Sequence, residues 1–383
     1  MRFKEQKILL SKCRWFNNHQ APCCLMIDDL VPAAVSLDGK LGPHNDWGYL
    51  MDKPDSLYAY FKKHLMDKYP KIKGTLFMPL ESQHSILEHN GFSVFRREFD
   101  KDFIEFIKKL SPRLELAFHG IRHTYIRDNR FIFEFENPDD EDFKFFSHKF
   151  DQFAKTGILF DGGKFPGYKY SKSSIEFLKS MNFSWFALNS SMINRKCDEN
   201  AMGFIEDTDM VSIPTNIAGN IFNQGKAKSK KLKKFLKGLV HSDRFVKPEN
   251  YLEYLYTKGY PITIQEHYQN QRTDGRRQIP NIYDDIKSLD RLFCLLKPMD
   301  IWYANCSEIA QYYEGYFNTE IIMQGNLELK IINHGKENEV LLSFISDYPV
   351  MTELGSGNVC HGISKKGTYI FNEIRPGTYR LCH

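Results

Sequence analysis

The chain has 383 residues, 42% of them hydrophobic, which is enough for one large core and a small second domain. Its 52 Lys and Arg residues nearly balance its 48 Asp and Glu residues, so the overall charge does not indicate a nucleic-acid-binding protein. The eight cysteines form no Cys-x-x-Cys pair. No run approaches the roughly 18 apolar residues of a membrane span, and no apolar signal segment opens the chain. These features predict a cytoplasmic protein.

Strand-like and helical stretches alternate along the first part of the chain. The predicted strands are residues 22–27, 72–78, 114–118, 157–165, 184–188, 210–214, 261–265 and 300–304. The predicted helices are residues 55–68, 102–110, 139–153, 171–180, 248–258, 282–296 and 307–313. This alternation predicts parallel β-α units in an α/β sheet or barrel, with functional side chains at the carboxyl ends of the strands.

Two further segments have a different character. From residue 319 onward, apolar and polar residues alternate between Gly and Asn turns, which predicts a small antiparallel β-sandwich. We therefore predict two domains, at residues 1–316 and 317–383. Residues 225–237 contain seven lysines. They are either a solvated insertion or a helix that contacts phosphate groups or an anionic membrane surface.

Polar residues that suit a metal site follow three of the predicted strands. Asp28 and Asp29 end the first, His119 and His123 follow the third, and His267 comes just after the strand at residues 261–265. Two histidines four residues apart on a helical turn can reach one metal ion, and one Asp would complete a three-ligand site with a position open for water. The second Asp could accept a proton from that water. This pattern predicts a hydrolytic metal site.

Each of these residues also has an ordinary structural interpretation. The two Asp residues would cap a helix, the His pair would be turn residues, and His267 would be a structural histidine. We interpret Lys164 as a surface charge.

Other residues suggest substrate contacts. A loop with His44, Asp46 and Trp47 could line a sugar site, or simply pack as a loop. Arg276 could bind an anionic substrate.

With these motifs in view, residues 22–313 resemble the polysaccharide deacetylase superfamily, which is carbohydrate esterase family 4. The first motif matches Met26-Ile27-Asp28-Asp29, the second His119 to His123, and the fifth Thr263-Ile264-Gln265-Glu266-His267. The third matches loosely at Lys164-Phe165-Pro166-Gly167-Tyr168, with Lys164 near the place where the family usually has an Arg that orients the base. Trp185 is the candidate for the Trp of the fourth motif, but Asn189 lies near the place of that motif's carboxylate.

The resemblance implies a distorted parallel (β/α) barrel of about seven strands. It also implies that Asp29, His119 and His123 bind a divalent metal, which we expect to be Zn²⁺. Asp28 would be the general base, His267 the general acid, and a backbone N–H near Tyr168 would help to hold the oxyanion. The implied reaction is removal of an acetyl or similar acyl group from an amino sugar in a cytoplasmic glycan precursor, in surface-polysaccharide (O-antigen) biosynthesis. Two alternatives are a sugar-binding protein with a degenerate centre and a deformylase or other C–N amidohydrolase.

Overall fold

The protein is described by a computed structural model that covers residues 9–31, 34–36, 56–81, 88, 89, 91, 93–95, 101–127, 130–188, 202–223, 247–270, 272, 276–335 and 342–383. The chain divides into two compact units. The larger unit contains Cys23–Met299 and Tyr303–Ser307, and the smaller unit contains Met1–Pro22, Asp300–Trp302 and Glu308–His383. The smaller unit thus includes N-terminal residues that the division at residues 316 and 317 assigned to the first domain. That division into domains stays a prediction.

The strands and helices follow in chain order. The strands are β1 (Ser11–Lys12), β2 (Ala21–Asp28), β3 (Ala34–Ser36), β4 (Gly74–Met78), β5 (Ser93–Phe95), β6 (Leu114–Phe118), β7 (Thr124–Arg127), β8 (Arg130–Phe133), β9 (Gly162–Lys164), β10 (Trp185–Ala187), β11 (Gly203–Phe204), β12 (Val211–Ser212), β13 (Ile217–Ala218), β14 (Ile262–His267), β15 (Ile301–Tyr303), β16 (Thr319–Met323), β17 (Glu328–Asn333), β18 (Ser343–Ser346), β19 (Val350–Glu353), β20 (Val359–His361), β21 (Ile363–Lys365), β22 (Thr368–Asn372) and β23 (Gly377–Cys382). The α-helices are α1 (Leu57–Phe61), which continues as a π-helix over Lys62–Met66, α2 (Lys101–Lys108), α3 (Asp140–Ala154), α4 (Lys172–Ser180), α5 (Pro248–Lys258), α6 (Ile282–Leu296) and α7 (Cys306–Asn318).

A large, mainly parallel sheet forms the centre of the larger unit. Nine of its strands lie in the order β11-β12-β10-β9-β6-β4-β2-β14-β13. All neighbouring pairs in this order are parallel except β11 with β12. Every residue of β2 is buried, as expected for a parallel strand covered on both faces, and Cys23 and Cys24 belong to it. The predicted α/β class is confirmed.

Helix ends in the larger unit follow from local sequence. Asp139 caps α3 by accepting hydrogen bonds from the N–H groups of Glu141 and Asp142. Ser171 caps α4 in the same manner, and α5 ends at Gly259, whose φ of 62° places it in the left-handed region. The helices predicted at residues 248–258 and 282–296 have those bounds, whereas α7 runs five residues beyond the predicted end at residue 313, to Asn318. The strand predicted at residues 157–165 is confined to β9.

The smaller unit contains two antiparallel sheets. One has the strand order β1-β18-β22-β21 and the other β16-β17-β23-β19-β20. The predicted antiparallel β region near the C-terminus is therefore confirmed. The pairing of Ser11 with Ile345 and of Lys12 with Phe344 explains why the N-terminal residues belong to this unit.

Within the described part of the chain, the helices are all too short or too polar to span a lipid bilayer. The lysine-rich segment at residues 225–237 lies outside the described residues, and so does the predicted contact with an anionic membrane.

Candidate metal centre

The predicted site residues lie at the carboxyl ends of neighbouring strands in the large sheet. Asp28 ends β2 and pairs in register with His267, which ends β14. His119 directly follows β6, and Lys164 ends β9. Because these strands are parallel, their carboxyl ends meet at one edge of the sheet, as the sequence analysis expected for functional side chains.

Asp29, His119 and His123 come together as a group that could hold a metal ion. One ligand atom from each lies within 4.8 Å of the others. Asp29 Oδ1 is 3.6 Å from His119 Nε2 and 3.6 Å from His123 Nε2. This oxygen is buried, and it has no hydrogen-bond partner among the residues that the structure describes. A buried carboxylate oxygen is costly without a partner, so its position between two imidazole nitrogens fits a cation.

The two histidines do not lie on a helical turn, and this part of the prediction is wrong. Residues 119–123 form an irregular bend in which Gly120 has a φ of 84° and His123 a φ of 69°. The N–H groups of Leu80 and Glu81 donate to the carbonyls of Gly120 and Ile121 at 3.0 and 2.7 Å. Left-handed backbone at two positions, rather than helical periodicity, turns both imidazoles toward Asp29.

The surroundings of the imidazoles favour the form that binds metals. His119 Nδ1 is 2.9 Å from the carbonyl oxygen of Lys164. Since a carbonyl can only accept, Nδ1 carries the hydrogen and Nε2 presents its lone pair. Burial lowers the pKa of His119 to about 4 against the opposing charges of Asp28 and Asp29. Burial, aided by the charge of His267, likewise lowers the pKa of His123 to about 4. Both rings are therefore neutral near pH 7, as metal ligands must be.

Asp28 has a different environment, because both of its oxygens accept hydrogen bonds. Lys164 Nζ donates to Oδ1 at 2.7 Å, and Gln265 Nε2 donates to Oδ2 at 2.9 Å. Burial alone would raise the pKa of Asp28, but the ammonium group of Lys164 and its hydrogen bond lower it overall. Lys164 is only 1% exposed, so its interpretation as a surface charge is wrong. A buried lysine needs such a partner, and Asp28 supplies it.

His267 and Tyr168 lie beside this carboxylate. His267 Nδ1 donates to the carbonyl of Pro280 at 2.8 Å, and its Nε2 is 4.0 Å from Asp28 Oδ2. The hydroxyl of Tyr168 donates to Gln265 Oε1 at 2.9 Å. The backbone N–H of Tyr168 donates to the carbonyl of Phe165 at 3.0 Å, so an oxyanion would compete with that carbonyl for this hydrogen.

The other residues singled out from the sequence have varied positions. Trp185 is buried, and its indole N–H donates to Ser307 Oγ at 2.9 Å. Its ring meets Phe77 edge-on at 6.1 Å, and Phe77 in turn lies 6.1 Å from the ring of His119. Arg276 is exposed. The candidates in the first loop (His44, Asp46 and Trp47) and Asn189 lie outside the described residues.

The sequence analysis missed two residues that contact the site. Gln269 Nε2 donates to Asp29 Oδ2 at 2.8 Å. Glu134 accepts hydrogen bonds from the backbone of the His119–His123 bend. Glu134 follows the hairpin of β7 and β8, and a sequence signal for that hairpin was present: two β-rich runs separated by Asp128-Asn129. No comparable signal marked Gln269.

No protein-family model matches this chain, and no curated protein matches it. Comparison with solved structures does find similar chains. A Mycobacterium smegmatis protein assigned as a polysaccharide deacetylase is 13% identical, with a TM-score of 0.45, over 79% of this chain and 93% of that one. One from Pseudomonas aeruginosa PAO1 is 12% identical, with a TM-score of 0.42, over 79% and 93% of the two chains.

A CE4 family pseudoenzyme from Bacillus anthracis is 10% identical, with a TM-score of 0.34, over 76% of this chain and 66% of that one. The similar structures thus include polysaccharide deacetylases, the superfamily that the sequence motifs resemble.

Proposed function

We propose that this chain is a metal-dependent hydrolase that removes an N-acetyl or similar acyl group from an amino sugar of a polysaccharide or glycan precursor. The observation that carries the proposal is the buried Asp29 Oδ1, which has no hydrogen-bond partner in the described part of the chain and lies between the Nε2 atoms of His119 and His123, beside a second carboxylate, Asp28. Three protein ligands with room for a water molecule are typical of catalytic zinc sites. A divalent ion held there, Zn²⁺ in our proposal, would supply Lewis-acid chemistry, polarising a carbonyl and making water more acidic.

Asp28 acts as the general base in this proposal. Its lowered pKa keeps it ionised at neutral pH, so it can take a proton from the attacking water. Lys164 lies near the place where the family usually has an orienting Arg, and we propose that its ion pair with Asp28 Oδ1 at 2.7 Å fixes the direction of the carboxylate. Gln265 holds the other oxygen and is itself held by the hydroxyl of Tyr168.

His267 is the proposed general acid. Its Nδ1–H is committed to the carbonyl of Pro280, which leaves Nε2 as the atom that delivers a proton to the departing amine. A backbone N–H near Tyr168 completes the proposal as an oxyanion donor, in competition with the carbonyl of Phe165. As the resemblance implies, we also propose that the parallel sheet closes into a barrel and that the protein acts in surface-polysaccharide biosynthesis.

A second candidate function is sugar binding by a degenerate centre. Two departures from the family favour it, namely Lys164 in place of the Arg and Asn189 near the place of the fourth-motif carboxylate. Retention of an N-acetylated sugar without metal-dependent release of acetate would support this candidate. A deformylase or another C–N amidohydrolase would differ only in the substrate that it hydrolyses.

The first test is metal content by elemental analysis, on the wild type and on His119→Ala. We expect about one Zn²⁺ or similar ion per chain in the wild type and none in the variant, because a three-ligand site loses a ligand. Lys169→Ala, which changes an exposed residue near the third motif, is the control and should keep the metal. The metal-loaded protein is then assayed for acetate or formate release from a panel of N-acylated amino sugars. A wild type that neither contains nor takes up Zn²⁺ or Co²⁺ would exclude the hydrolase mechanism and favour sugar binding.

A further inference from the structure

Glu134 is a buried glutamate that belongs to neither the proposed ligands nor the proposed acid–base pair. It directly follows β8 and is 1% exposed. Its carboxylate accepts three backbone hydrogen bonds from consecutive residues: Ile121 N–H at 2.7 Å, Arg122 N–H at 2.9 Å and His123 N–H at 3.1 Å. Consecutive N–H groups that converge on one point form an anion-binding concavity, which here is filled by a side chain of the same protein.

The bend is shaped around this carboxylate. Gly120 has a φ of 84°, and a Cβ at this position would lie 1.8 Å from Glu134 Oε1. No residue with a side chain fits at position 120 while the carboxylate stays where it is. The backbone N–H groups of the bend therefore bind Glu134. Two backbone carbonyls of the bend accept hydrogen bonds from the N–H groups of Leu80 and Glu81.

We infer that Glu134 is a positioning residue for the metal site: its carboxylate fixes the bend so that His119 and His123 face Asp29 together. This inference rests on the proposed function, because it presumes that the three residues bind a metal. His119 continues directly from β6 and is also held by the carbonyl of Lys164, whereas His123 lies four residues further along an irregular bend. The hydrogen bond from the backbone N–H of His123 to Glu134 holds the backbone of the residue that carries the second imidazole. Loss of that hydrogen bond increases the conformational freedom that metal binding must remove.

The test measures two quantities for each variant. The first is the Zn²⁺ affinity, from competition with a chromogenic chelator, and the second is the melting temperature of the metal-free protein. The variants are Glu134→Gln, which removes the charge, and Glu134→Asp, which keeps it on a shorter side chain. The matched control is Glu115→Gln. Glu115 also accepts hydrogen bonds from a hydroxyl and a backbone N–H, from Thr75 at 2.6 Å and Ser307 at 3.1 Å, but it lies outside the bend.

We expect Glu134→Gln to weaken Zn²⁺ binding by about 10- to 100-fold, as is typical when a residue that orients a ligand is changed. Glu115→Gln should lower the melting temperature of the metal-free protein without changing Zn²⁺ affinity. The Zn²⁺ affinity of Glu134→Asp should lie between those of Glu134→Gln and the wild type. If Glu134→Gln does not fold, Glu134→Asp is the variant that tests the inference.

Equal Zn²⁺ affinity in the wild type and the Glu134 variants would overturn the inference and leave the proposed function intact. So would an equal loss of affinity in Glu115→Gln, because the effect would then be general destabilisation. A wild type that binds neither Zn²⁺ nor Co²⁺ would overturn the proposed function, and the inference with it.

Discussion

Asp28 and Asp29 are neighbours in the chain, but their carboxylates are bound in different ways. Both oxygens of Asp28 receive hydrogen bonds, one from Lys164 and one from Gln265. Among the described residues, one oxygen of Asp29 receives a hydrogen bond, from Gln269, and the other faces two neutral imidazoles without a hydrogen-bond partner. The first carboxylate has its charge balanced by Lys164, whereas the second has a buried oxygen without a hydrogen-bond partner in the described part of the chain. Two consecutive residues thus differ: one carboxylate is neutralised by a lysine, and the other is placed where it could bind a cation.

The largest expected effect comes from exchanging each aspartate for asparagine. Asp29 has a φ of 66°, a left-handed conformation that Asn tolerates well, so Asp29→Asn tests the charge and not the backbone. We expect Asp29→Asn to lose Zn²⁺ affinity by more than about 100-fold, the upper end of what changes outside the ligand shell cause. Asp28→Asn should keep its metal and lose turnover. Chelator competition and acetate release measure the two effects.

This prediction could fail in an informative way. Equal metal loss in Asp28→Asn and Asp29→Asn would mean that both carboxylates contribute to one metal site. The proposed difference in role between them would then be wrong.

The next effect concerns the buried ion pair of Lys164 with Asp28. Lys164→Met should lower the free energy of unfolding by about 3–5 kcal/mol, because it leaves the carboxylate buried without a counter-charge. The double variant with Asp28→Asn should recover most of that loss, since it removes both charges. Urea denaturation of the two single variants and the double variant measures this coupling.

The exposed pair of Lys169 with Glu136, at 3.6 Å, provides the control, and Lys169→Met should change stability by less than about 1 kcal/mol. If the Lys164 and Lys169 variants were equally stable, Asp28 would not depend on an internal counter-charge.

The smallest effect distinguishes the two glutamines. Gln265 and Gln269 each donate an amide N–H to one oxygen of a different aspartate, at 2.9 and 2.8 Å. Gln269→Leu should weaken Co²⁺ binding by about 10-fold, because Asp29 loses the bond that orients it. Gln265→Leu should leave Co²⁺ binding unchanged and reduce turnover instead. Isothermal titration calorimetry with Co²⁺ measures the first effect, and a stronger loss of binding in Gln265→Leu than in Gln269→Leu would contradict the comparison.

The sequence predicted the parts of the site that depend on local pattern. Apolar runs that end in polar residues gave the strands β2, β6 and β14, and parallel strands bring their carboxyl ends together. That arrangement brings Asp29 close to His119, whereas His123 reaches them through the irregular bend that follows β6. The helical turn predicted for the His pair was wrong, because the spacing of two histidines does not reveal the left-handed backbone at Gly120 and His123.

The sequence could not reveal the contacts that neutralise or orient these residues. Lys164 and Asp28 are 136 residues apart, and nothing local distinguishes a lysine that is buried by a distant carboxylate from one at the surface. The contacts of Gln269 with Asp29 and of Glu134 with the histidine bend likewise depend on tertiary packing. These supporting side chains set which carboxylate oxygens already have hydrogen-bond partners, so a motif alone does not separate an active centre from a degenerate one.

The fit between Gly120 and Glu134 has an evolutionary consequence. Because a Cβ at position 120 would lie 1.8 Å from the carboxylate, a side chain at this position would displace the glutamate. Relatives of this chain should therefore have glycine at the first position wherever the second is glutamate. The reverse does not hold: lineages that lose the glutamate should still favour glycine, because its φ of 84° disfavours other residues, and their histidine bend would need another anchor.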